Sequence, residues 1–261
     1  MDNELGEYIS IKNLSFSYDK KIILDDINLD FNKGTFYSII GPNGSGKSTI
    51  IKNISKTLGL KSKSIFIGNK DISTVNNKSL AKIMAIIPQS TIIDYEFTVS
   101  EIVMMGRSPH KRRFEEFNRE DERITEKYMR ATSTWELRDK FITELSGGEA
   151  QRVIAAKVLS QETDIILLDE PTSNLDIQYQ IEFLNIFKNL KTDKIIVAVL
   201  HDLNLASIFS DEIILINKGK VVATGTPWEV INEKNIKEVY NISVKVFENP
   251  ISKCPHIIPI V

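Results

Sequence analysis

A mostly parallel α/β sheet with helices on both faces, an antiparallel β edge at its start and a helical insertion is the fold this sequence predicts. Three observations predict it. Short, β-branched apolar runs recur at residues 36–40, 83–87, 165–168 and 195–200, each ending at a polar or glycine position as buried strands do. Longer stretches with helical spacing separate them, and alternation of strand with helix argues for parallel pairing. From about Thr91 to Gln161 that rhythm stops, and no convincing strand interrupts it.

The first thirty residues alternate more than the later runs, so 8–14 and 22–29 predict the antiparallel edge. The strand over 36–40 leads into Gly41-Pro42-Asn43-Gly44-Ser45-Gly46-Lys47-Ser48-Thr49, and an apolar-periodic helix over 49–58 follows. Within the rhythm break, 99–105 and 120–132 read as helices with charged faces, and the middle of the segment, 107–117, is basic and aromatic. A helix over 149–159 and the strand over 165–168 come next, then the strand over 195–200. Runs at 213–217 and 220–224 flank Lys218-Gly219 and read as a hairpin. The simplest organisation is one domain, 1–261. Its catalytic core comprises 1–90 and 162–261, and residues 91–161 form an inserted α-helical subdomain.

Bulk composition excludes several classes. With 33 basic and 35 acidic residues the net charge is −2, which gives no global pull towards nucleic acid, although Lys111-Arg112-Arg113 is a local basic cluster. The single cysteine, Cys254, has no partner for a disulfide or a Cys-rich metal site, which is compatible with a reducing cytoplasm. The acidic start, Met1 to Glu7, does not read as a secretory signal. No apolar run approaches the ~18 residues of a spanning helix, so work at a membrane would need another protein to hold the chain there.

Residues 41–49 match the Walker A, or P-loop, pattern in full, between a strand and a helix as the motif requires. Its glycines let the loop turn its amides inward, and the helix N-terminus adds partial positive charge, so a phosphate is the natural occupant. Lys47 would reach the β- and γ-phosphates of a nucleotide, and Ser48 would hold Mg2+. The run 165–168 ends in Asp169-Glu170, the matching Walker B pair. A carboxylate at Asp169 closes a buried strand and needs a partner, for which Mg2+ is suited. Glu170 follows as the chain leaves the sheet, where a carboxylate could take a proton from water attacking the γ-phosphate. A strand ending in solvated acids is the alternative for this pair.

Ahead of Walker B stands Leu145-Ser146-Gly147-Gly148-Glu149-Ala150-Gln151-Arg152. Two glycines, a hydroxyl and a helix N-terminus make a second anion site; a plain helix N-cap is the other reading. In this order the motifs resemble those of ABC transporter ATPases, over nearly the whole chain. The resemblance implies a P-loop NTPase fold, ATP and Mg2+ as cofactors, and hydrolysis of ATP to ADP and phosphate. It also implies two copies of the chain closing around two nucleotides, each held between one copy's Walker A and the other's Ser146-Gly147-Gly148-Glu149. Tyr18 resembles the aromatic that stacks on adenine, although alone it reads as a strand core residue. Gln89 resembles the glutamine that touches Mg2+ and faces the membrane subunit. Ser173-Asn174-Leu175-Asp176 resembles the D-loop, and His201 the histidine that contacts the γ-phosphate. His110 and His256 have no such context.

Thr98-Val99-Ser100-Glu101, Met105-Gly106-Arg107-Ser108-Pro109-His110, the segments 201–206 and 225–230, and the tail 239–244 resemble ATPases of iron-siderophore, haem and vitamin B12 importers. That implies two membrane-spanning permease subunits, an extracytoplasmic substrate-binding protein acting indirectly, and a peripheral place on the cytoplasmic side of the cell membrane. The resemblance departs at Gly59–Ile65, where relatives carry a proline-containing turn, and at Ala150, where a polar residue is common. Competing readings are an ATPase for another ligand or for export, and a soluble ABC ATPase acting on ribosomes, DNA or iron–sulfur assembly. Against the soluble reading stand the single ATPase domain and the absence of sustained heptads.

Overall fold

The structure is a computed structural model describing residues 8–58, 63–89, 96–173 and 175–260. Its strands are β1 (Tyr8–Tyr18), β2 (Lys21–Asn32), β3 (Thr35–Ile40), β4 (Ile65–Ile67), β5 (Lys70–Asp71), β6 (Met84–Ile87), β7 (Ile165–Asp169), β8 (Ile195–Val199), β9 (Glu212–Asn217), β10 (Lys220–Gly225), β11 (Val244–Glu248) and β12 (Pro255–Pro259). Its α-helices are α1 (Lys47–Ile54), α2 (Asn77–Ile83), α3 (Val99–Met104), α4 (Arg119–Ala131), α5 (Gly147–Ser160), α6 (Ile177–Lys188), α7 (Leu203–Phe209), α8 (Pro227–Val230) and α9 (Glu233–Tyr240).

Six strands form the principal sheet in the order β10-β9-β3-β8-β7-β6, parallel except for the β9–β10 hairpin at its edge. Strands β7 and β8 are buried at every residue, which is why their sequence is continuously apolar and does not alternate. The carboxyl ends of β3, β7 and β8 therefore lie side by side, and Gly41, Glu170 and His201 leave the sheet close to one another.

The antiparallel strands predicted as an edge instead form a separate sheet, β2-β1-β4-β5. Its apolar face shares one core cluster with Ile50, Ile51 and Ile54 of α1 and with Ile39, Val197 and Ile214 of the principal sheet. Both strands outrun the predicted ends at Leu14 and Leu29. Irregular register between Ile11 and Ser17 breaks the period-two pattern there, and Asn13 and Asp26 take left-handed φ values of 48° and 53°. The Asn13 side chain donates to Asp26 across that irregularity at 2.8 Å. The β11–β12 hairpin has no counterpart in the sequence reading.

Between β6 and β7 the described residues hold helices and one isolated bridge, Thr98 to Phe141. Val99, Ile102 and Val103 of α3, Met129 of α4 and Val153 and Ala156 of α5 make a small core of their own. The opposite side of α5, at Ile154, Ala155, Val158 and Leu159, joins the core beneath the principal sheet. Helix α5 is thus buried on two sides and belongs to both bodies.

The segment Gly106–His110 fixes the C-terminal end of α5. Arg107 Nη1 donates to the Ser160 carbonyl at 2.7 Å and its Nε lies 3.2 Å from Asp121, with both side chains under one-tenth exposed. His110 Nε2 is 2.9 Å from the Gln161 carbonyl. Gln161 Nε2 in turn donates to the carbonyls of Ala81 and Met84, at 2.6 and 3.0 Å, tying α5 to the entry of β6. Cations at unsatisfied helix-end carbonyls are favourable on charge as well as on hydrogen bonding. Gly106 allows this approach, because a Cβ there would stand 2.2 Å from the Lys157 carbonyl oxygen and 2.1 Å from Ser160 Oγ. Gly106→Ala is expected to destabilise the fold by roughly 1–3 kcal/mol through overpacking, read as a lower denaturation midpoint; an unchanged midpoint refutes the packing account.

Candidate functional site

The loop from Gly41 to Gly46 turns because its glycines adopt backbone that other residues resist. Gly41 has φ 153° and Gly46 φ 108°, and a Cβ at either would meet Ile216 O at 2.1 Å or Leu24 Cδ2 at 2.7 Å. Gly46 N-caps α1, so that helix starts at Lys47, two residues before the predicted start; it ends at Ile54, and Lys56 at φ 58° carries the chain away. Pro42, Asn43 and Gly44 are the outward part of the loop, whereas Ser45 is buried, with its Oγ lacking a partner among the described residues.

Lys47 is 4% exposed and folds back to donate to the carbonyls of Gly41 at 2.9 Å and Pro42 at 3.0 Å. Burial pushes its ammonium below the ordinary lysine range, and the charges of Glu170 and Asp169 act in the opposite direction. Asp169 ends β7 at 1% exposure. Burial raises its carboxyl above the usual carboxylate range, opposed by a hydrogen bond from Ser48, and its Oδ1 has no partner among the described residues.

Glu170 follows at φ 51°, a left-handed conformation that costs a non-glycine residue of order 1–3 kcal/mol and persists where its surroundings demand it. That turn aims its carboxylate between two side chains. Gln89 Nε2 donates to Oε2 at 2.6 Å, and His201 Nε2 lies 2.8 Å from Oε1. Two side chains, from the ends of β6 and β8, thus converge on a carboxylate carried at the end of β7. Above the loop, a pocket is lined by Tyr18, Lys21, Asn43, Lys47, Thr49 and Glu170 among others. Tyr18 is half-exposed at the end of β1, edge-on to Phe16 with ring centres 5.0 Å apart.

Ser146, Gly147, Gly148 and Glu149 stand apart from that pocket, at the start of α5. Ser146 is the N-cap, and the capping box is complete. The Glu149 carboxylate accepts from Ser146 Oγ at 2.7 Å and Ser146 N at 2.9 Å, bonds that hold it below the usual carboxylate range. The plain N-cap geometry is therefore present in the motif, and it leaves Gly147 facing open space, where a Cβ would meet nothing within 4 Å. A Cβ on Gly148 would press on the Tyr179 ring at 3.0 Å. Asp176 is exposed at the N-cap of α6 without a side-chain cap bond. Asn174, residues 59–62 of the departing turn and residues 1–7 lie outside the described residues.

Sequence reasoning missed one neighbour of the loop. Tyr240, at the end of α9, hydrogen-bonds the Gly41 backbone through its hydroxyl, and burial raises its pKa. The tail containing it carried only a family resemblance, and nothing local says that α9 returns to the loop.

The family described as ABC transporter matches residues 24–173. The iron(3+)-hydroxamate import ATP-binding protein of Bacillus subtilis is 37% identical over 249 residues, 95% of this chain and 93% of the relative. The petrobactin import ATP-binding protein FpuD of Bacillus anthracis is 36% identical, covering 96% and 93%. The ferric enterobactin transport ATP-binding protein of Escherichia coli is 34% identical, covering 95% and 92%. Among solved structures, a chain of a metal-chelate type ABC transporter in an inward-facing conformation superposes at TM-score 0.84, with 24% identity over 99% of this chain and 98% of that one.

Proposed function

The chain belongs to the ABC transporter family as an ATP-binding protein, and from that membership we propose that it hydrolyses ATP to power import of a metal chelate of the iron-siderophore, haem or cobalamin type. The observation that carries the ATPase reading is the carboxylate of Glu170 held between Gln89 and His201 beside the phosphate loop. The import reading rests on relatives named for siderophore import across nearly their whole length.

Lys47, with the backbone N–H groups of 43–49, binds the β- and γ-phosphates, and Tyr18 stacks on the base. Glu170 takes the proton of the attacking water while His201 and Gln89 fix the carboxylate's direction, which is the positioning a loose phosphoryl-transfer transition state requires. Ser146, Gly147 and Gly148 of a second copy complete the γ-phosphate shell, and loss of that phosphate releases the two copies. No helix among the described residues is long and apolar enough to cross a membrane. Import ATP-binding subunits work with membrane permeases; here two permease subunits hold the chain at the cytoplasmic face, served by an extracytoplasmic binding protein. They dock in the groove between α2, β6 and α5, lined by Leu80, Met84, Ile86, Ile154 and Val158.

The residues present fit Mg2+. Asp169 presents an unpartnered buried oxygen, its carboxylate is bonded to the Ser48 hydroxyl, and both are hard oxygen donors. No group of three metal-binding His, Cys, Asp or Glu exists among the described residues, which suits an ion shared with substrate phosphates. Ser48 and Asp169 would hold it, and when bound it would neutralise charge developing on the phosphate oxygens. Gln89 is also assigned to it, although its amide donates to Glu170 in this structure. An acid whose pKa rises on folding costs stability at neutral pH, and the cost shrinks as pH falls through the raised folded value and is gone below the unfolded one. Asp169→Asn is therefore expected to raise the melting temperature at pH 7 by about 2–4 °C for each kcal/mol relieved, less at acidic pH, while ATP turnover is lost. A lower melting temperature would mean that the carboxylate supports the fold.

The function is tested by pulling the tagged chain from gently solubilised native membranes. A polytopic membrane protein in stoichiometric amount is the expected companion. Recovery of soluble partners alone moves the protein out of transport and leaves the ATPase chemistry standing.

A further inference from the structure

The basic, aromatic middle of the helical segment has no part in the nucleotide site. Arg112, Arg113 and Phe114 lie on the surface between the Gly106–His110 turn and α4, and they form one concave patch with Lys78, Lys82 and Lys111. Phe114 is 91% exposed and takes φ 65°, which for a bulky aromatic is a backbone outlier. Arg113 lies over its ring at 5.0 Å from the centre, so cation and aromatic present together. The patch is anchored from beneath. Lys78 Nζ donates to the Lys111 carbonyl, and Lys111 pairs with the buried Asp121. Glu115 is the acid within the patch; it accepts from the Arg112 amide at 2.8 Å and lies 3.6 Å from Lys111 Nζ. Lys82, Arg112 and Arg113 carry no ion pair among the described residues.

Lys78 and Lys82 project from one face of α2, four residues apart. Asn77, Leu80 and Ala81 of the same helix line the groove assigned above to the membrane subunits. The patch therefore adjoins that groove across α2, and its orientation towards the bilayer rests on that reading. An exposed aromatic flanked by arginines and lysines suits the interfacial zone of a membrane, where the ring enters the headgroup layer and the cations meet lipid phosphates. An acidic protein segment would satisfy the charges and leave the ring without an apolar contact.

We propose that Lys78, Lys82, Arg112, Arg113 and Phe114 form a docking surface for anionic phospholipid headgroups beside the permease groove. The surface adds a second, sequence-independent hold on the membrane.

The test uses the purified full chain in flotation with vesicles of phosphatidylcholine alone or with 30 mol% phosphatidylglycerol (a composition chosen to give about a −30 mV surface). Binding to the anionic vesicles is expected to exceed binding to the neutral ones and to weaken with salt. Arg112→Gln with Arg113→Gln is expected to lower the partition about 25-fold, roughly fivefold for each cation lost. Phe114→Ser is expected to lower it with the salt dependence kept, and ATP turnover should be unchanged in both variants. Equal binding to the two vesicle types, or undiminished binding by the double variant, overturns the proposal. So does full competition by millimolar inorganic phosphate, which would make this a small-anion site. Binding that appears only on vesicles carrying the co-purified permease assigns the patch to a protein partner and likewise overturns it. Failure in any of these ways leaves the permease pull-down intact, so the two readings fall separately.

Discussion

Lys47→Ala will bind ATP at least ~100-fold more weakly than the unaltered chain. The lysine is nearly inaccessible, and its ammonium sits between the loop carbonyls of Gly41 and Pro42 and the acidic pair at the end of β7. Charge-assisted hydrogen bonds contribute about 1.5–3 kcal/mol each, and a 100-fold loss corresponds to about 2.7 kcal/mol, so the expected defect needs one or two such bonds to phosphate. The substitution also removes the two bonds that shape the loop. A thermal melt without nucleotide separates a local from a global effect: the apolar cluster under α1 is built by Ile50, Ile51 and Ile54, and the Lys47 side chain is no part of it, so the melt should move little. Binding is read by titration with a fluorescent ATP analogue. Unchanged affinity removes Lys47 from the phosphate site and with it the reading of the loop.

Why this residue could be named from the sequence, and others could not, follows from how local each signal is. The phosphate loop is a contiguous motif. Glycines at 41 and 46 are demanded by backbone conformation and by contacts at 2.1 and 2.7 Å, so composition at those positions carries the geometry directly. Strands β7 and β8 of the principal sheet were equally plain, since burial on both faces writes an uninterrupted apolar run. The first sheet was harder. Its bulges at 13 and 26 shift the alternation mid-strand, so the alternating pattern ends while the strand continues. Whether antiparallel strands edge one sheet or build another depends on long-range pairing of β1 with β4, which no window of sequence contains.

The convergence on Glu170 was legible only through the order of motifs. Gln89, Glu170 and His201 are separated by 81 and 31 positions, and what joins them is the adjacency of β6, β7 and β8. Tyr240 was missed for the same reason without a motif to compensate. In the other direction, the Gly106–His110 segment was read as a mark of a transporter class, and its atoms account for it as packing and helix capping at the end of α5. In this chain those residues serve packing and capping, so the import reading rests on whole-chain similarity.

Glu170→Gln is expected to keep ATP and lose its hydrolysis, with turnover down by roughly 10²–10⁴, the range of a positioned proton acceptor. The substitution is nearly isosteric, and its amide can serve both neighbours. The carbonyl oxygen accepts from Gln89 Nε2, as Oε2 does now at 2.6 Å. The new NH2 donates to His201 Nε2 when that imidazole is protonated on Nδ1. The cluster therefore keeps its shape while the basic oxygen is gone. Because the phosphate loop is untouched, nucleotide affinity should stay within a few fold, and two chains should accumulate as an ATP-dependent dimer, measured by light scattering with and without ATP. The two readouts divide the possibilities. Lost turnover with a stable ATP dimer assigns the proton transfer to Glu170 and the dimer's release to γ-phosphate loss. Lost turnover without a dimer means that the carboxylate is needed to assemble the closed site through Gln89 and His201. Turnover at the unaltered rate means that the acceptor of the water proton is another group and that the three-residue convergence is a structural device at the sheet end.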